Sequence, residues 1–108
     1  MLLNLAEAEA HQNGVAGRAL ALLNAVYLRS NPGAAPLEIT NLNAFLDRLM
    51  LERGMEFLGE GIANMDIQRT VSEHRAKPGV AAVGPTSPNY VWPIPQTELN
   101  TNSLVQPN

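Results

Sequence analysis

Cysteine is absent from these 108 residues, which excludes disulfides, thiolate catalysis and Cys-ligated zinc, and within this stretch a lipid-modified cysteine as well. Aromatic residues make up only 5%, so Leu, Ala and Met must do most of the packing, a composition that favours helices. Lys and Arg total 7 against 10 Asp and Glu, and the basic residues form no cluster. Without a basic stripe to meet phosphates, nucleic acid is not expected as a partner. No apolar run is long enough to cross a bilayer. Met1-Leu2-Leu3 does not read as a signal start either, because Asn4, Glu7 and Glu9 interrupt it and no basic residue precedes it. G-x-S-x-G elbows, Walker A loops, G-x-G-x-x-G turns and EF-hand loops are all missing, so no cofactor is expected.

What is present is helical periodicity over the first two-thirds. "LLNLAEAEAHQNG" is rich in helix formers and ends at Asn13-Gly14, a pair suited to a left-handed C-cap. In "VAGRALALLNAVYLRS", Ala16, Ala19, Leu20, Leu23, Val26 and Tyr27 share one face, and "NPGAAP" stops the run. Two helices joined by so short a turn pack antiparallel, and small Ala residues let the backbones approach. With Gly14 at the turn, Leu3, Ala10, Ala19 and Leu23 fall on the packing positions of a single tetratricopeptide repeat. One such hairpin leaves an apolar face that must stack on a neighbour, inside or outside this chain.

A third helix is expected in "TNLNAFLDRLMLERGMEFLGEG", capped by Thr40 or Asn41, with Leu42, Phe45, Leu46, Leu49 and Met50 facing a core. A fourth is expected through "MDIQRTVSEHRA", started by Asn64 or Asp66 and stopped at Lys77-Pro78-Gly79. Six of the eight prolines lie in residues 78 to 108, which predicts an extended or looped tail. The fold class is therefore mostly α: a tetratricopeptide-like helical hairpin (1–36), two further helices (37–77) and an extended Pro-rich tail (78–108) packed over them. Pro93 and Pro95 hold Trp92 and Ile94 in an extended run. Tyr90 and Trp92 point the same way there, as a carbohydrate platform would need. Burial is the preferred reading, because Trp92 is the largest apolar group open to a core short of aromatics.

Glu52, Glu56 and Glu60 recur every four residues and form a carboxylate stripe. It could serve as a metal site or an acid and base pair. Arg48 four residues before Glu52, Arg53 beside it and Arg69 in the next element favour ion pairing that holds two elements in register. His11 lies one turn after Glu7, and His74 follows Glu73, but neither has the second histidine of H-E-x-x-H, so both read as surface residues and no metal is expected.

"LERGMEFLGEG", then "NMDIQRT", then "YVWPIPQTELNTN" resemble the C-terminal signatures of the SusD/RagB family of outer-membrane lipoproteins, and the hairpin ending in "LLNAVYLRS" resembles that family's last tetratricopeptide-like pair. Glu52, Arg53, Glu56, Glu60, Gly61, Asp66 and Arg69 stand at its E-R-x-x-E-x-x-x-E-G and D-x-x-R positions. Trp92, Pro93, Ile94, Pro95, Gln96 and Glu98 stand at its W-P-I-P-x-x-E tail. Departures occur at Gly59, Asn64 and Met65, where aromatics are usual, and at Ala63 and Tyr27, where arginine is.

The resemblance implies a cell-surface glycan-binding protein, not an enzyme, that closes over a TonB-dependent transporter and hands it oligosaccharides. It implies that these residues are the C-terminal scaffold of a longer chain held in the outer membrane by a lipid anchor elsewhere. The glycan contacts would then lie outside the segment, and the partners would be oligosaccharide, transporter and the rest of the parent chain. It also makes Trp92 a structural clasp. A free-standing tetratricopeptide-like module gripping a peptide in its groove is the alternative of another class. A small carboxylate hydrolase using Glu52 and Glu56 is a third.

Overall fold

A computed structural model of the chain describes residues 1–105. Five helices occur among them: α1 (Leu2–Asn13), α2 (Arg18–Ser30), α3 (Leu42–Glu56), α4 (Ala63–Arg69) and α5 (Gln96–Thr101). The fold is mostly α. The chain divides into two compact units, Met1–Ala63 and the residues from Asn64 onward.

In the first unit, α2 packs along α1, and α3 packs against both. Leu3, Ala6 and Ala10 of α1 meet Ala19, Leu23 and Val26 of α2, together with Phe45 and Leu49 of α3, in one buried cluster. Each set repeats at three- or four-residue spacing, so one stripe per helix faces inward. Alanine at three of these positions removes side-chain bulk where α1 and α2 approach. The second helix starts later than its periodicity suggests. Gly17 takes φ 78° as its N-cap, a left-handed conformation open to glycine and unlike a helical one. Ala16 is therefore exposed outside the helix, and neighbouring Val15 is the buried residue instead.

Between α2 and α3 the chain is held by a side chain that imitates a strand. Asn24 donates from Nδ2 to the Leu37 carbonyl at 3.1 Å and accepts the Leu37 amide at Oδ1 at 2.7 Å. This satisfies a part-buried peptide group that has no helix to join. Asn41 is the N-cap of α3, accepting from the Ala44 amide at 3.1 Å. Leu42, expected in the core, is exposed, because the inward stripe begins at Phe45.

The second unit is built differently. The helix expected through "MDIQRTVSEHRA" stops at Arg69. The Val71 amide donates to Gln68 O at 3.1 Å and the Ser72 amide to Ile67 O at 2.9 Å, the paired bonds of a Schellman end, with Val71 at φ 53°. Beyond it the chain forms a narrow antiparallel ladder, His74 with Val83 and Lys77 with Val80. Pro78 and Gly79 (φ 79°) sit at its tip, the residue order of a type II turn. The expected tail is not extended throughout, since α5 begins directly after Pro95, a residue that cannot sit inside a helix but can precede one. Trp92 corrects the reading of a buried clasp: its exposure is 85%. The physical reason lies in its own unit, where the described residues include no buried hydrophobic side chain, and therefore no core for the ring to enter.

Candidate functional site

The expected carboxylate stripe breaks at the end of α3. Glu52 and Glu56 belong to the helix, while Glu60 lies past a turn closed by its own amide on Phe57 O at 3.0 Å, exposed beside Gly61 at φ 76°. Glu52 is buried, at 1% exposure, and pairs with Arg48 one turn earlier. The Arg48 guanidinium also lies over the Tyr27 ring of α2, 4.8 Å from its centroid, which adds a cation–π contact across the helices. Arg53, also buried, donates from Nη1 to Asn4 Oδ1 on α1 and lies 5.5 Å over the Phe57 ring.

Glu56 receives Arg29 from α2. Nη2 donates to both carboxylate oxygens at 2.6 and 2.5 Å, and the Ser30 hydroxyl adds a bond of 3.1 Å to Oε1. The Arg29 hydrogen bonds, with help from Ser30, hold the Glu56 carboxyl below its usual pKa. Together these contacts tie α3 to α1 through Asn4 and to α2 through Tyr27, Arg29 and Ser30. Asp66 and Arg69 form a separate pair within α4, Nε to Oδ1 at 2.9 Å.

A cleft of about 270 Å³ opens beside the Glu56–Arg29 pair, lined otherwise by apolar groups that include Leu2, Leu3, Val26 and Phe57. Its chemistry is poor for acid–base work. A general acid or base needs a pKa near the working pH, and Glu56 is shifted the other way. Among the described residues, no three His, Cys, Asp or Glu side chains gather as metal ligands. His11 is exposed in the last turn of α1, and the His74 ring meets Tyr90 edge-on at 5.2 Å.

The structure brings together Glu52, Arg53 and Glu56 on one helix and places Asp66 with Arg69 on another. Trp92, Pro93 and Pro95 lie exposed on the segment leading into α5. Sequence reasoning missed Asn4 and Arg29 as ion-network partners. They lie 49 and 27 residues from Arg53 and Glu56, and no spacing rule reaches that far. The last-turn position of Arg29 on α2 was the one visible hint. No helix among the described residues is long and apolar enough to cross a membrane.

No curated protein and no solved structure matches the chain. The model of the SusD family does, over residues 1–108. With Glu52-Arg53-x-x-Glu56, the Asp66–Arg69 pair and the Trp92-Pro93-Ile94-Pro95 run all inside that match, this chain belongs to the SusD family.

Proposed function

We propose that these residues form a C-terminal scaffold portion of a cell-surface glycan-binding protein that delivers oligosaccharides to a TonB-dependent outer-membrane transporter. The family is one of glycan-binding outer-membrane proteins that act in nutrient uptake and are binding proteins rather than enzymes, and the family match spans every residue of the chain. That match is the observation that carries the reading. The geometry agrees with a scaffold role. Charged side chains at signature positions Glu52, Arg53 and Glu56 are spent on Arg48, Asn4, Arg29 and Ser30, where they fix three helices in register.

In this reading Glu52, Arg53, Glu56, Glu60, Gly61, Asp66 and Arg69 are structural signature positions, as are Trp92, Pro93 and Pro95. Glycan contacts and the lipid anchor belong to the rest of the parent protein. Two measurements test it. Affinity purification of the protein from detergent-solubilised outer membranes is expected to bring a TonB-dependent transporter with it, and purification without one overturns the delivery role. Calorimetry of the 108-residue chain against oligosaccharides is expected to give no heat of binding. Saturable binding by this chain would move the glycan site into it.

A further inference from the structure

Val71 is the single non-glycine residue with positive φ among the described residues, at 53°. A β-branched side chain is disfavoured there, because Cβ crowds the following carbonyl. Elsewhere the chain gives such positions to glycine, as at Gly14, Gly17 and Gly79. Something must therefore hold Val71, and its own side chain does not, being exposed at 65%.

The surrounding bonds converge on one carbonyl. Ile67 O receives the Ser72 amide at 2.9 Å and lies 3.1 Å from the Tyr90 hydroxyl, which also reaches Ser72 O at 2.7 Å. A phenol has one hydrogen to donate, so Tyr90 forks between the two carbonyls that bracket Val71, one before the left-handed residue and one after it. Tyr90 is itself delivered by a turn in which its amide donates to Ser87 O at 3.0 Å, and its ring rests edge-on against His74, the first residue of the ladder.

We propose that the Tyr90 hydroxyl is a latch: it holds the end turn of α4 in its strained left-handed form and thereby fixes where the 74–83 ladder departs from the helix. The latch also anchors the start of the segment bearing the exposed side chains of Val91 and Trp92. Opening it relieves the strain at Val71, so the closed state is poised and a single hydroxyl decides it.

Amide hydrogen exchange in the 108-residue chain tests this. Tyr90→Phe keeps the ring against His74 and removes the donor. It is expected to speed exchange at the Ser72 amide about fivefold, while the Val80 amide in the ladder's own tip is unchanged. Val71→Gly removes the strain and is expected to slow Ser72 exchange by a comparable factor. The double variant should return to near the parent rate. No change at Ser72 in either single variant overturns the latch, and so does equal acceleration of Ser72 and Val80 in Tyr90→Phe, which would mean a general loosening.

Discussion

Residues 1–63 and the residues from Asn64 onward are held together by different physics. Among the described residues, the nine buried hydrophobic side chains all lie in the first unit, with Glu52 and Arg53 buried beside them. Among the described residues of the second, Asp66 alone is buried, and order there comes from individual hydrogen bonds: a Schellman end, a narrow ladder and Tyr90 on two carbonyls. Burial of apolar surface is long-range and tolerant of sequence, whereas turn chemistry is short-range and depends on single donors. The first unit should therefore answer to volume, and the second to individual hydrogen bonds and backbone angles.

The largest effect should come from emptying the first unit. Phe45 is fully buried, so Phe45→Ala is expected to lower stability by about 3–5 kcal/mol, read as a fall in the denaturant midpoint at unchanged slope. A loss below about 1 kcal/mol would mean that the three-helix cluster is not the source of stability. Glu52→Gln comes next. It keeps the shape but removes the charge that faces Arg48 at 1% exposure. The expected cost is about 1–3 kcal/mol, and a gain would show that the buried pair is maintained at a net cost to folding.

How far sequence alone reaches differs between the two units for the same reason. Phe45 and Leu49 are legible because helical periodicity places them, and Arg48 with Glu52 because a spacing of four puts them on adjacent turns. Asn24 on Leu37 is not legible, since an amide that substitutes for a strand partner leaves no periodic trace. The end of α4 is hidden because Val71 occupies a position that glycine would have announced. Pro78-Gly79, taken as the stop of a helix, is instead the tip of a ladder, since the same dipeptide suits both.

Glu56 offers a smaller effect that depends on pH. Its pKa is lowered in the folded chain, chiefly by the Arg29 hydrogen bonds, so folding favours the ionised form. The stabilisation is complete above the unfolded-state pKa and is lost as pH falls through the lower folded value. Glu56→Gln should therefore flatten the decline in stability as pH falls from about 5 to about 3 and leave the slope near neutrality unchanged. An unaltered acid limb would remove Arg29–Glu56 from the set of contacts that hold α2 to α3.

The smallest effect sharpens the contrast most. A tryptophan in the first unit would be expected to contribute several kcal/mol, but Trp92, at 85% exposure, displaces little apolar surface from water in this chain. Trp92→Ala is therefore expected to change stability by less than about 0.5 kcal/mol, with Trp92 fluorescence in the parent chain placed at the wavelength of a hydrated indole. Pro93 and Pro95 would still hold the segment extended without the ring, because their effect is on φ and needs no contact with it. A loss of 3 kcal/mol or more, about the cost of emptying a buried aromatic site, would put the indole inside a core and return the second unit to the same physics as the first.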